Sequence, residues 1–354
     1  VGAGLHLSRI GDLTVDGGTE GTTETSTFSG AVGAGNPGTN KLFIVRSIAD
    51  IRNDSGVNQT VRHRWKFGPV PTVLEDFTTI SLADAGATDR YADITNLFVG
   101  GENSVTAQRT MMEHRQSGAI APGLYAGGND QATGVNSTAV DSSSSQTLQH
   151  TVQLSAANSE LEYRERGVWV ELVGPGLDSG DVGTRLVAVD GTEFTYSNSV
   201  AETTVATIPI PGGKISTGNL LIAKIYMRAI CNSGATCQWW SEVLYGGTKI
   251  FDGVSGVANA TNAANRAFPL EIWIAGHGAT NDQVCAMIGQ GINGEAGSGD
   301  GVVPQAGGQA NNSVSECAVD STVSQNLVIK TTMNTAHANN SITYLGASVK
   351  VIKA

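Results

Sequence analysis

The residues best able to do chemistry in this chain are six histidines, four cysteines and a few acid-and-hydroxyl segments. His6, His63, His114, His150, His277 and His337 form no H-x-H or H-E-x-x-H pair. The chain therefore offers no local metal-ligand motif, and surface or core imidazoles are expected. The alternative left open is a site assembled from distant strands. The four cysteines, Cys231, Cys237, Cys285 and Cys317, all lie in the second half. Cys231 and Cys237 flank "NSGAT", which reads as a hairpin loop, so a bridge between them is one reading. Four ordinary half-buried thiols is the other. No C-x-x-C pair points to zinc. No metal or cofactor is expected.

Two segments carry an aspartate among hydroxyls: "AVDSSSSQTL" from Ala139 and "AVDSTVSQNL" from Ala318. A calcium loop would need closely spaced carboxylates, which are absent. The expectation is that Asp141 and Asp320 bond nearby backbone in a turn. "GEAGSGDG" (294–301) lacks the Lys-Ser/Thr ending of a phosphate loop. In "QTVRHRWKF" (59–67), Arg62, Arg64 and Lys66 share one strand face; Val61, His63, Trp65 and Phe67 share the other. That basic stripe is a candidate interaction surface, as are Trp239 and Trp240, adjacent aromatics able to stack on a sugar. No nucleophile elbow, paired carboxylates or Cys/His constellation appears, so no enzyme activity is expected.

The two AVDS segments agree at seven of ten positions, 179 residues apart. They belong to a longer repeat. Glu24 falls on Glu202, "NDSG" (53–56) on "CNSG" (231–234), Arg90 on Arg266, Gly100 on Gly276, and "GVWVELV" (167–173) on "GASVKVI" (346–352). Matched blocks in one order with offsets of 176–179 imply a duplicated domain, not a short-period solenoid. Jelly-roll domain 1 is placed at 1–173, a Gly-rich linker at 174–183 ("GPGLDSGDVG") and jelly-roll domain 2 at 184–354. Phe28, Ile44, Val99 and Leu148 are expected in the core, opposite Ile208 (after a two-residue shift), Ile222, Ala275 and Leu327. Arg46, aligned with Lys224, reads as lying on a solvated or inter-subunit face; a buried ion pair is the sharper alternative.

The elements that must position these residues are strands. Glycine is abundant (45 of 354 residues), charge is sparse (15%), and no long helical pattern occurs. About eight short strands per copy, with turn signals between them, predict an all-β chain of two tandem antiparallel β-sandwich domains, most naturally jelly rolls. The net charge of −11 argues against a general nucleic-acid binder. No apolar run approaches the ~20 residues of a membrane span, and the N-terminus shows no signal-peptide pattern.

The second copy reads "ETTVATIPIPGGKISTGNLLIAKIYMRAICNSGATCQWWSEVLYGG" from Glu202. It resembles the small jelly-roll structural proteins of tailed-bacteriophage virions. The matching residues are Glu202–Thr204, Thr207–Pro209, Gly218–Ile230, Asn232–Gly234, Thr236 and Gly246–Gly247; "RAFPLEIWIAGHGATNDQ" (266–283) resembles the next block. The resemblance covers most of 184–354 and extends weakly through the repeat; "RHRWKF" and 69–89 depart from it. It implies a virion component at the particle surface: a capsid decoration or cement protein, or a fibre element. The partners it implies are other virion proteins, with trimerisation favoured. A double-jelly-roll major capsid protein and a carbohydrate- or receptor-binding module are the competing readings.

Overall fold

The computed structural model describes residues 6–38, 41–69, 72–79, 81–101, 106–117, 126–132, 136–173, 184–233, 239–254, 262–267, 270–290 and 310–352. It divides into two compact units. The first holds 1–122, 130–185 and 352–354; the second holds 123–129 and 186–351. Among the described residues the only helix is a single turn, α1 (Gly17–Glu20).

The first half runs β1 (His6–Asp16), β2 (Thr25–Val32), β3 (Leu42–Asn53), β4 (Val61–Gly68), β5 (Thr72–Thr78), β6 (Tyr91–Gly101), β7 (Gln108–Ser117), β8 (Ala126–Ala132), β9 (Asn136–Thr138), β10 (Gln146–Leu154) and β11 (Leu161–Val173). Its antiparallel pairs nest: β1 with β11, β2 with β10, β3 with β6, β4 with β5. The chain is thus one long ribbon folded back on itself. The ribbon is rolled so that β11 also pairs with β3, and β10 with β4. Two sheets result, β1-β11-β3-β6-β7 and β2-β10-β4-β5. Nested hairpins rolled into two facing sheets are a jelly roll.

The second half repeats the plan with β12 (Thr184–Asp190), β13 (Phe194–Ser197), β14 (Thr203–Ile210), β15 (Leu220–Cys231), β16 (Trp239–Tyr245), β17 (Thr248–Val254), β18 (Asn262–Ala267), β19 (Leu270–Ala279), β20 (Asp282–Gln290), β21 (Ala310–Cys317), β22 (Gln325–Met333) and β23 (Ser341–Ile352). β13 pairs with β23, β14 with β22, β15 with β19 and β16 with β17. β22 also pairs with β16, and β23 lies beside β15. The protein is all-β, built from antiparallel jelly-roll sandwiches.

The repeated AVDS block has a shared mechanical role. Asp141 accepts the Ser143 amide and Asp320 the Thr322 amide, each at 2.9 Å, so each aspartate closes a turn. A buried glutamine clamps the valine before it. Gln108 donates to the Val140 carbonyl (2.7 Å) and accepts its amide (3.0 Å). Gln283 does the same to Val319, at 3.0 Å both ways. Ser142 and Ser321 donate to the carbonyls of Pro37 and Ile215, which are equivalent positions.

Strand register corrects the sequence alignment over two stretches, around β2 and around β6, where Val99 answers Ile274, not Ala275, and Arg266 answers Tyr91, not Arg90. Gly276 answers Gly101, not Gly100: their amides bond the equivalent carbonyls of Asn219 and Lys41, both at 2.9 Å. Phe28 faces His150 and Ala206 faces Ile329, so Ala206 is the partner of Phe28, while Ile208 faces Leu327 as Gly30 faces Leu148. A shift of one or two residues is invisible where the compared residues are all apolar or glycine. Of the expected core residues, Phe28, Val99, Leu148 and Ile208 are buried, as are Ile222, Ala275 and Leu327, but Ile44 is only half-buried.

The cores of the two copies differ in kind. Among the described residues, a continuous apolar cluster in the second runs from Tyr196 and Val205 through Ile225, Val243 and Ile329 to Val351. In the first, the described residues between the sheets form two separate clusters. One contains Phe43, Val45, Trp65, Phe67, Leu97, Leu148 and Val168; the other contains Ile51, Val61, Tyr91, Leu154, Leu161 and Tyr163.

Candidate functional site

Along the strands of the first jelly roll, a buried polar residue stands between the members of those two clusters. β3 reads Val45, Ser47, Ala49; β4 reads Trp65, His63, Val61; β10 reads Leu148, His150, Val152; β6 reads Leu97, Thr95, Asp93, Tyr91; β11 reads Val168, Glu165, Tyr163. On β11 the alternation changes phase at a register shift between Glu165 and Gly167. This bulge lets Leu161, Tyr163 and Glu165 point inward below it and Val168, Val170 and Leu172 above it. β7 adds His114. In the second copy the register places Ile225, Ser241 and Ile329 at the positions of Ser47, His63 and His150. The polar belt is therefore a property of the first copy.

All the belt's titratable groups are buried: Asp93, His150 and Glu165 are 0% exposed, His63 and His114 1%. Burial of a bare carboxylate is costly unless it is hydrogen-bonded and compensated. Glu165 meets that condition fully. It accepts the hydroxyls of Ser47 (2.6 Å), Tyr163 (3.0 Å) and Thr27 (3.3 Å), and Nδ1 of His150 lies 3.0 Å away. Burial and then the charges of Glu165 and Asp93 push the Tyr163 phenol well above its ordinary range, so it stays a donor. Burial lowers the His150 pKa, against the pull of Glu165. A neutral His150 must then carry its hydrogen on Nδ1, toward Glu165. Its Nε2 becomes an acceptor for Nδ1 of His63, 3.3 Å away. The proton order Glu165–His150–His63 follows from the network.

At the far end of this relay, His63 Nε2 lies 3.4 Å and His114 Nε2 3.1 Å from Asp93 Oδ2. The three residues each place one ligand-type atom within 4.8 Å of the other two. Burial alone would raise the Asp93 carboxyl; the imidazoles of His114 and His63 outweigh it and hold the carboxyl far below its usual range. Asp93 Oδ1, His63 Nε2 and His114 Nδ1 have no hydrogen-bond partner in the structure. Aromatic rings wall the cluster: Trp65 stacks on His150 (4.3 Å between centroids), and Phe77 packs on His63 and His114 (5.0 and 4.1 Å).

The residues singled out from sequence lie elsewhere. Arg62, Arg64 and Lys66 do form one stripe on β4, but its charge is met locally. Arg62 donates to Asp76 at 2.6 Å, Arg64 reaches Asp76 and Glu24, and Lys66 pairs with Glu24. Trp239 is 2% exposed, in the second core, and Trp240 is half-buried on the opposite strand face, so Trp239 has no surface on which a sugar could stack. Arg46 is not on a solvated face: it is 7% exposed and pairs with Glu171 at 3.0 Å. Lys224, its counterpart, forms an exposed pair with Glu271 at 3.2 Å. The Cys231–Cys237 bridge involves Cys237, which lies outside the described residues, as does the side chain of Cys231. Cys285 and Cys317 are buried free thiols with their sulfurs 3.7 Å apart, and burial pushes the Cys285 thiol up, away from reactivity. What the sequence reading missed is the belt. Its one visible trace was His63 on the same strand face as Val61, Trp65 and Phe67.

Fold and site together define a tandem jelly-roll protein whose first copy carries a sealed histidine–carboxylate belt. No protein-family model matches the chain, and no curated protein matches it. Among solved structures it is similar to the insecticidal delta-endotoxin Cry8Ea1 of Bacillus thuringiensis (8% identity, TM-score 0.23, 86% of this chain and 54% of that one). It is also similar to latent PorU of Porphyromonas gingivalis (10%, 0.24, 86% and 24%) and to an infectious bursal disease virus Gx strain structure (13%, 0.19, 99% and 80%). The chain spans about half the length of the first and a quarter of the second.

Proposed function

We propose that this protein is a structural component of a virus particle, a decoration or cement protein on the shell of a tailed phage. One observation carries the reading: a single chain holds the same jelly roll twice, down to the Gln–Val clamp and the Asx turn. The sequence of the second copy supports it through its resemblance to small virion jelly rolls. Such a protein acts through its outer surfaces, by binding neighbouring virion proteins. The partners are the major shell protein and further copies of this chain, in a trimer. The net charge of −11 disfavours nucleic acid as a partner. Catalysis is disfavoured by burial: among the described residues, the cluster of imidazoles and carboxylate with reactive potential is closed off, whereas a catalytic site must admit substrate. A double-jelly-roll major capsid protein would also hold two rolls in tandem; the close match of the two copies favours the accessory role. A sugar-binding role loses the Trp239 half of its aromatic pair.

The test has two parts. Native mass spectrometry of the purified chain should give a trimer of 36.5 kDa subunits. The labelled chain should also co-sediment with phage shells and survive a sugar wash. A monomer that stays in the supernatant, or one displaced by glycans, contradicts the reading.

A further inference from the structure

We propose that His63, Asp93 and His114 bind one divalent transition-metal ion, zinc first among them, inside the first jelly roll. The inference is independent of any role on a particle.

Three features of the cluster point to a cation. The first is spacing. Donors about 2.0–2.1 Å from a tetrahedral ion stand about 3.3–3.4 Å apart. Asp93 Oδ2 lies 3.1 Å from His114 Nε2 and 3.4 Å from His63 Nε2, and all three donors fall within 4.8 Å. Only small shifts are needed to close the set around an ion.

The second is unmet valence. His63 Nε2 and Asp93 Oδ1 are buried without a hydrogen-bond partner, a costly state in a core. His63 Nε2 faces Asp93 Oδ2 across 3.4 Å, longer than a good hydrogen bond and close to the spacing of two donors on one ion. The three side chains together offer two nitrogens and a carboxylate oxygen, one donor each.

The third is the outer support. Metal-binding histidines characteristically pass their other N–H to a carboxylate or another acceptor, which fixes the ring. His63 does so through His150 to Glu165, itself held by three hydroxyls. Two imidazoles and a carboxylate suit zinc and its neighbours and do not suit magnesium or calcium. The second copy has Ser241 and Ile329 where the first has His63 and His150, so one ion per chain is expected.

Because the ligands are sealed in, the full-length chain should be unfolded with chelator and refolded with zinc, with cobalt(II), or with chelator alone. The expected result is one zinc per chain after extensive dialysis. Chelator-refolded protein should melt at least about 5 °C lower. The zinc X-ray absorption edge should report nitrogen and oxygen ligands without sulfur. His114→Gln should refold in chelator as well as wild type does but lose the ion. Zinc below a tenth of an equivalent in folded wild type would overturn the proposal. So would sulfur in the coordination shell, which would point to Cys285 and Cys317, or full zinc retention in H114Q. Should H114Q fail to fold, the absorption edge of the wild-type protein decides.

Discussion

Gln108 and Gln283 do the same work 175 residues apart, and each sits fully buried. Each satisfies both the amide and the carbonyl of one valine, groups that would otherwise be stranded in the core. Gln108→Ala should therefore cost roughly 2–4 kcal/mol, and Gln283→Ala a similar amount, measured by urea unfolding. Loss of less than about 0.5 kcal/mol would show that the clamp is incidental. Acid should act on the β4 stripe. The Arg62 guanidinium, with Arg64, holds the Asp76 carboxyl below its usual range. Burial would raise Glu24, but Lys66, Thr151 and Arg64 outweigh it and lower it. Both groups bind protons more weakly folded than unfolded. Their contribution is present above the ordinary carboxylate range and disappears as pH falls through and below it. The urea midpoint should fall between about pH 5 and 3. It should fall less steeply in Glu24→Gln/Asp76→Asn and at high salt; identical pH slopes would contradict the assignment. At this scale the sequence was partly legible. The Asx role of Asp141 and Asp320 could be read because it is local. Arg46 could not, because alternation assigns a residue to a face without telling what covers that face.

The strands carry the duplication, and close approaches of backbone fix their registers. A Cβ at Gly101 would lie 2.2 Å from the Gly38 carbonyl oxygen, and one at Gly276 would lie 1.7 Å from that of Ser216, the equivalent atom. Neither neighbour is a movable side chain. Gly101→Ala and Gly276→Ala should each cost several kcal/mol or abolish soluble expression, while Gly56→Leu, in an open turn at positive φ, should cost less. Comparable melting curves for G276A and wild type would show that the loop yields. The repeat made strand number and order readable, since matched blocks had to form matched strands. The belt was hidden for the opposite reason. His63, Asp93, His114, His150 and Glu165 come from five strands with no fixed spacing, and the bulge at Glu165–Gly167 changes the phase, so alternation counted back from Val168, Val170 and Leu172 turns Arg166 inward in place of Glu165. Only the nested pairing of the ribbon brings them together.

At the scale of the whole molecule, two copies of one fold have been given different interiors: an apolar core in the second, and a core divided by charge and imidazole in the first. The surfaces likewise differ. Glu24 and Glu202 are equivalent acids, yet Glu24 is met by Arg64 and Lys66 on β4, and Glu202 by Lys330 on β22. A duplicated shell-binding protein would use such differences to make two unlike contacts with one chain. The claim is decided most directly by counting this chain in purified phage particles by quantitative mass spectrometry, relative to the major shell protein. The account predicts hundreds of copies per particle, in multiples of three. Absence from the particles, or a handful of copies, would contradict it.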